Sequence, residues 1–214
     1  MGEAGWISLK VLGIDLPLLF LLGTGAGWFL GRHSFRGREL VILLLLLPVA
    51  LPPAVVGLYI LLLAEKVVWF QKLGILFSFP GAALAPLIPA FPLMMQASLS
   101  AFEGVPLSLE QAARMLGHSP WGVFCKVTFP LVWRQLAAGL ALAGVRCLGD
   151  FGTTLMVAGN IPGKTQTLPL YIYGEVEALN LSGAHGAAIL LTLFGMGSLL
   201  FVRSMRSRGW NHVS

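Results

Sequence analysis

Charged residues are scarce in this chain. Asp, Glu, Lys and Arg make up 11% of its 214 residues, whereas 57% are hydrophobic, and the mean hydropathy is +0.83. A soluble domain carries roughly 25% charged residues, and a chain of this length has too little polar surface to cover one core of such composition. The composition argues against a soluble enzyme, a disordered tail and a nucleic-acid-binding protein, and it favours a membrane protein.

Several patterns that would indicate a disulfide framework, catalysis or cofactor binding are also missing. The two cysteines, Cys125 and Cys147, lie in very different surroundings, which argues against a disulfide framework. There is no His-Glu-x-x-His motif, and Gly163-Lys164-Thr165 lacks the glycine five residues earlier that a phosphate-binding loop requires. We therefore expect no catalytic residue, no metal site and no cofactor in this chain.

Five stretches are long and apolar enough to cross a membrane, since a spanning helix needs about 20 mostly apolar residues. They cover residues 12–30, 40–64, 75–102, 136–158 and 184–202. We expect an all-α fold, a polytopic membrane helix bundle with about five transmembrane helices. Residues 1–214 would form a single domain with one cytoplasmic loop at 103–130.

Basic residues are distributed unevenly between the two sides of these stretches, nine on one side and four on the other. The positive-inside rule assigns the richer side to the cytoplasm. The N-terminus is then expected outside and the C-terminus in the cytoplasm. The nine are Arg32, Arg36, Arg38, Arg114, Lys126, Arg134, Arg203, Arg206 and Arg208, and the four are Lys10, Lys66, Lys72 and Lys164.

Prolines and glycines mark the apolar stretches. Proline removes a backbone donor and bends a helix, and at membrane depth the freed carbonyls need protein or a water-filled path. Kinked packing and bent helices that line a path both stay open as interpretations, whereas the glycines predict close helix packing. The prolines are Pro48, Pro52, Pro53, Pro80, Pro86, Pro89 and Pro92, and the glycines are Gly23, Gly25, Gly27, Gly31, Gly139 and Gly144.

The polar loop at 103–130 has a helical pattern. Ser108 followed by Gln111 is typical of a capping box, and Gly117 indicates where the helix ends. An apolar face recurs at helical spacing, and Ser119-Pro120 predicts the start of a second helix. This short amphipathic helix suits either docking into a groove on a partner or packing under its own bundle. Its apolar residues are Leu109, Ala112, Ala113 and Leu116.

The same loop resembles the EAA loop of permeases of ATP-binding-cassette (ABC) importers. The resemblance covers Gln111-Ala112-Ala113, then Gly117, Val127 and Phe129-Pro130 at the family's spacing, with Gln111 in place of the family's Glu and Glu110 one residue earlier. It implies that the loop contacts an ATPase subunit, which binds ATP and magnesium and hydrolyses the ATP. The implied contact residues are Glu110, Gln111, Ala112, Ala113, Gly117 and Pro130.

A second resemblance concerns the substrate. Leu148-Gly-Asp-Phe-Gly152 and the run Ala158-Gly-Asn-Ile-Pro-Gly-Lys-Thr-Gln-Thr-Leu-Pro169 resemble oxyanion permeases, and the run is most like molybdate permease subunits. Sulfate permeases share part of it and tungstate permeases are more distant, so both stay as alternatives. The resemblance implies a homodimer with two ATPase subunits, an external substrate-binding protein, and a place in the inner membrane.

Charged and polar residues near the expected outer face are candidates for a gate or pathway. Arg146 and Asp150 are four apart on one helix face, and they form either a structural ion pair or a gate. Asn160, Lys164 and Thr165 could pass an oxyanion, dock a binding protein or shape a surface loop. An intramembrane aspartyl protease is a remote alternative, because Cys147 occupies the first glycine of its Gly-x-Gly-Asp motif.

Overall fold

The computed structural model describes residues 1–67 and 72–207, which are helical with short connections and contain no β-strand. The expected all-α membrane helix bundle is confirmed. Arg208, one of the nine basic residues counted above, lies outside the described residues. The helices are α1 Gly2–Arg32, α2 Arg38–Ala50, α3 Pro53–Lys66, α4 Phe79–Glu103, α5 Leu107–Met115, α6 Pro120–Val123, α7 Phe129–Leu148, α8 Gly152–Ala158, α9 Leu168–Glu177 and α10 Leu181–Ser207, with a π-helical turn at Phe124–Thr128 between α6 and α7.

Four helical segments of the described chain are long and apolar enough to cross a membrane. They are Gly2–Arg32, Phe79–Glu103, Pro120–Leu148, and Leu181–Met205 within α10. Helices α2 and α3 together form a fifth apolar stretch, but they meet at 111°. The bundle therefore has four unbroken candidate spans and one bent pair, which agrees with about five transmembrane helices.

The bend between α2 and α3 lies at two consecutive prolines. Leu51 is extended, with ψ at 145°, and Pro53 occupies the first turn of α3. Neither Pro52 nor Pro53 has an N–H to continue the hydrogen bonding of α2, and a residue before proline avoids the helical region. The stretch expected over 40–64 is thus two helices rather than one.

The stretch expected over 136–158 is also interrupted. Helix α7 ends at Leu148, and α8 begins separately at Gly152. The upstream end differs as well, because α7 continues without a break from the π-helical turn and α6. Apolarity alone predicted a helix across this break, since residues on both sides are apolar.

Helix α1 packs closely along α4 through a stripe of glycines. A Cβ on Gly27 would lie 2.4 Å from Ser98 Cβ, and one on Gly23 would lie 2.5 Å from Met94 Cγ. Gly31 continues the stripe, with Phe102 Cβ at 3.4 Å from its added Cβ. Small residues at i, i+4 and i+8 let two backbones approach in lipid. The close packing expected at Gly23, Gly27 and Gly31 is confirmed, whereas nothing lies within 4 Å of a Cβ added to Gly25.

The prolines of α4 lie inside the bundle. Pro86, Pro89 and Pro92 are buried, yet α4 runs unbroken for 25 residues. Prolines at membrane depth are tolerated where neighbouring helices surround the freed carbonyls. Of the two interpretations left open above, these three positions support packing.

The tight α1–α4 contact leads to a test at two glycines of one helix. We expect Gly27→Ala to lower the free energy of unfolding by about 1–3 kcal/mol, as overpacking does, because its Cβ would meet Leu99 N at 2.7 Å. Gly25→Ala is the matched control, since nothing lies within 4 Å of its added Cβ. The control should be neutral or gain up to about 1 kcal/mol from helix propensity. Thermal unfolding of the purified protein in detergent measures both, and equal changes would contradict the packing account.

Candidate functional site

The loop helix α5 begins earlier than the sequence pattern predicts. It starts at Leu107 after Pro106, and no side chain caps it. The expected capping box of Ser108 and Gln111 is therefore wrong. Because the helix begins before Ser108, that serine lies inside the first turn, where its side chain is no longer at the capping position.

The end of α5 follows the sequence prediction. Gly117 adopts φ at +85°, a conformation that glycine takes without strain. Its N–H donates to Arg114 O at 2.9 Å, and His118 N–H donates to Ala113 O at 3.2 Å. Ser119 Oγ then accepts from Gly122 N at 3.1 Å, which confirms the predicted N-cap of the next helix. The turn after α5 is thus rigidly specified.

Two residues of α5 face the bundle. Ala113 and Glu110 are buried, although both belong to the ATPase-contact set that the resemblance implies. Glu110 Oε1 accepts from Arg32 Nη2 at 2.5 Å and from Thr128 Oγ1 at 2.7 Å. The inward face of α5 is therefore held to the end of α1 and to the start of α7.

Several apolar side chains of α5 and α6 are exposed. Met115 and Leu116 are 89% and 81% exposed, and Trp121 on α6 is 73% exposed. Leu109 and Ala112 of α5 are also exposed. Leu109, Ala112, Met115, Leu116 and Trp121 are called the loop patch below. Gln111 and Pro130, the remaining residues of the implied contact set, are exposed as well.

A second set of charges lies at the same end of the bundle. Arg38, at the start of α2, pairs with Glu103 at the end of α4 and with Glu39 at 2.7 Å. Its Nε also donates to Leu30 O near the end of α1 at 2.7 Å. The α1–α2 connection and the α4–α5 connection therefore lie at the same end of the bundle.

Asp150 organises the break between α7 and α8. Its side chain is fully buried and pairs with Arg146 Nη1 at 3.0 Å. The other carboxylate oxygen accepts from Thr154 N and Thr154 Oγ1, both at 3.0 Å. Thr153 Oγ1 donates to Oδ1 at 3.2 Å. Asp150 thus caps the first turn of α8, and this competition for backbone donors explains why α7 does not continue.

The segment between α8 and α9 is closed by its own hydrogen bonds. The buried Thr165 hydroxyl donates to Gly159 O at 3.0 Å and accepts from Ile161 N at 3.2 Å. Asn160 accepts from Gln166 Nε2 at 2.9 Å and donates to Leu170 O at 3.3 Å. Lys164 is exposed. Of these three candidates, Asn160 and Thr165 hold the loop together, and Lys164 faces outward.

The two groups of candidate residues lie at opposite ends of α1. Ser8 Oγ accepts from Leu168 N at 2.8 Å, which fixes the loop after α8 near the start of α1, whereas Arg32 holds α5 at its end. Arg32 lies 24 positions after Ser8, which corresponds to about 36 Å of helix. The structure thus separates a loop-helix site from a site at the α7–α8 junction.

Sequence reasoning missed the roles of four side chains at these two sites. Arg32 and Thr128 bind Glu110, but they lie 78 and 18 residues away from it in sequence. No local sequence pattern indicates contacts over such separations. Cys147 Sγ donates to Asp15 Oδ2 at 2.7 Å beside the α7–α8 junction, and both residues are buried. The only sequence signal for Asp15 was an acidic residue inside an apolar stretch.

The chain is similar to membrane subunits of transport systems. Residues 23–208 match the family described as "Binding-protein-dependent transport system inner membrane component". The chain is 38% identical over 207 residues to the molybdenum transport system permease protein ModB of Escherichia coli K12, which covers 92% of this chain and 90% of that protein. It is 34% identical over 205 residues to the sulfate transport system permease protein CysW of Synechocystis, covering 93% and 74% respectively.

A solved structure shares the fold. The inward-facing MetNI methionine ABC transporter contains a chain that superposes with a TM-score of 0.68 at 16% identity, covering 96% of this chain and 95% of that one. At this level of identity, the likeness establishes the arrangement of helices.

The α7–α8 junction generates a stability prediction. We expect Asp150→Ala to lower the free energy of unfolding by about 3 kcal/mol, the low end for breaking a buried ion pair, because Arg146 keeps 30% side-chain exposure. The double variant Arg146→Leu/Asp150→Ala should be more stable than the single one, since no unpaired charge remains. Lys164→Ala is the exposed control. Thermal unfolding in detergent measures the stability of each variant. A melting temperature of Asp150→Ala equal to that of the wild type would contradict this account.

Proposed function

Since the chain belongs to the family of binding-protein-dependent transport system inner membrane components, the permease subunits of ABC importers, we propose that it carries molybdate across the cell membrane. The family makes it a multi-pass inner-membrane transport subunit rather than an enzyme. ATP hydrolysis belongs to a partner ATPase, and substrate arrives from a binding protein. The resemblance that the EAA-like loop suggested is thereby confirmed at the level of the family.

Molybdate is proposed on two grounds. The run from Ala158 to Pro169 resembles molybdate permease subunits, and relatives with molybdenum in their names are 38% identical in Escherichia coli and 39% in Haemophilus influenzae. The sulfate permease of Synechocystis is 34% identical, so sulfate is the second candidate. Tungstate, a tetrahedral dianion of similar size to molybdate, is a co-substrate in this proposal.

We propose a homodimer with two ATPase subunits on the cytoplasmic face and the binding protein outside. The basic loops and the paired charges at Arg32 and Arg38 lie at one end of the bundle, which the positive-inside rule assigns to the cytoplasm. The N-terminus of α1 then lies outside, and the C-terminal end of α10 lies inside. One α5 helix per subunit gives one docking element for each ATPase.

The observation that carries this function is the loop patch. It is an exposed apolar surface on a helix whose other face is locked to the bundle by Glu110. Such a surface on the cytoplasmic side suits a groove on the ATPase. ATP binding draws the two ATPases together, the docked helices follow, and the pathway changes from inward-facing to outward-facing.

The candidate pathway residues have different roles in this proposal. Arg146 and Asp150 hold the α7–α8 junction, which makes that junction a fixed element beside the path. Asn160 and Thr165 shape the outer loop. Lys164 presents a positive charge at the outer surface, where it attracts the oxyanion or an acidic side chain of the binding protein.

The docking role of the loop patch is tested by Ala112→Trp. A bulky side chain on the exposed face leaves the fold intact and wedges the contact apart, so we expect ATPase affinity to fall at least about tenfold, or 1.4 kcal/mol. The measurements are co-purification, ATPase activity and anion uptake in reconstituted vesicles.

The mass of the wild-type complex in detergent should correspond to two copies of each subunit.

Ser182→Trp is the control for the Ala112→Trp experiment. Ser182 is exposed at the start of α10, on the opposite side of the membrane in this topology. It should bind the ATPase as the wild type does. Full ATPase binding and transport by Ala112→Trp would show that the loop patch is not the docking surface.

The substrate is tested by uptake in cells that lack this chain. We expect loss of labelled molybdate uptake, retention of sulfate uptake, and recovery of the former when the chain is restored. Tungstate should compete with molybdate, whereas excess sulfate should not. Lost sulfate uptake together with unchanged molybdate uptake would assign the chain to sulfate transport instead.

A further inference from the structure

One oxygen of Glu110 joins three parts of the bundle. Oε1 accepts from Arg32 at the end of α1 and from Thr128 just before α7, while Glu110 itself belongs to α5. The Arg32 and Glu110 side chains are only 12% and 11% exposed. The contact is therefore a buried connection between elements that are 78 residues apart in sequence.

The backbone provides α5 with other connections. Residues 104–106 lead into it from α4, and residues 116–119 lead from it to α6. Arg32 adds a side-chain link to α1, whose glycine stripe packs on α4. A displacement of α5 that reached α4 without α1 would shear that close contact. The Arg32–Glu110 bond provides a direct means for both helices to move together.

We propose that Arg32 is a positioning residue for coupling: through Glu110 it fixes α5 to α1, so that movement of the docked helix displaces α1 and α7 as one body. This inference rests on the proposed docking of α5 to the ATPase. It assigns a function to an arginine outside the EAA-like loop.

The chemistry of the bond supports a directional role rather than a purely stabilising one. Replacing a buried ion pair by apolar side chains is often neutral or stabilising. If the contact only had to hold α5 against α1, methionine or leucine would therefore stabilise it as well. A charge-assisted hydrogen bond also fixes the direction of approach. That property is useful where a helix has to transmit a displacement.

The test compares transport per ATP hydrolysed in reconstituted vesicles. In the double variant Arg32→Met/Glu110→Met, no buried charge is left unpaired, so insertion should stay close to wild type. The buried Thr128 hydroxyl loses its acceptor, so thermal stability should fall modestly while the variant stays folded. ATPase should still bind and hydrolyse ATP, but anions transported per ATP should fall several-fold. A merely structural role would lower both activities in proportion, and an unchanged ratio in the folded double variant would overturn the proposal.

Arg32→Lys is the conservative variant. The observed bond uses a single guanidinium nitrogen, so a lysine ammonium can replace it as a point charge. Its ratio of transport to hydrolysis should stay near the wild-type value. A ratio as low as that of the methionine double variant would overturn the assignment to this ion pair.

Glu39→Gln is the matched control at the same end of the membrane. Glu39 pairs with Arg38 at 2.7 Å but is 78% exposed in its side chain, and the pair does not involve α5. It should leave the ratio unchanged, and a fall as large as in the double variant would overturn a specific role for Arg32.

The Ala112→Trp experiment separates the two hypotheses. If that variant keeps its ATPase and transports normally, docking through α5 is wrong and the inference about Arg32 falls with it. If it loses the ATPase while the methionine double variant keeps a normal ratio, docking stands and the role of Arg32 alone is overturned.

Discussion

The close contact of α1 with α4 is the constraint on which the rest of this structure depends. Lipid tails are as apolar as leucine, so helices in a membrane associate through tight packing rather than through hydrophobic burial. The Gly23–Gly27–Gly31 stripe supplies that packing along α1. Ser8 then holds the start of α9 at one end of the helix, and Arg32 holds α5 at the other.

Several polar groups inside the bundle are satisfied by neighbours that the fold brings to them. Asp150 accepts from Arg146, Thr153 and Thr154, and the Thr165 hydroxyl closes the loop after α8. In a medium without water, such groups tolerate burial when partners are fixed nearby. The same requirement explains why the connection between α7 and α9 is a compact structure rather than an open loop.

Local signals in the sequence were read more successfully than distant ones. Apolar runs predicted the long helices, and Gly117 and Ser119 marked the turn after α5, because each of these depends on a few adjacent residues. Hydropathy could not place the break at Asp150, since one capping carboxylate lowers the mean hydropathy of an apolar stretch too little to mark a helix end. The Arg32–Glu110 pair was also invisible, because its members meet only after α1 and α5 have been positioned by the whole fold.

The ion pair at the α7–α8 junction has a consequence for membrane voltage. Moving one elementary charge across the full membrane changes its electrostatic energy by about 2.3 kcal/mol when the membrane potential is 100 mV. Arg146 and Asp150 carry opposite charges 3.0 Å apart, so their contributions cancel when they move together. While the pair stays closed, a rearrangement of this junction is electrically silent, and the resting potential neither drives nor opposes it.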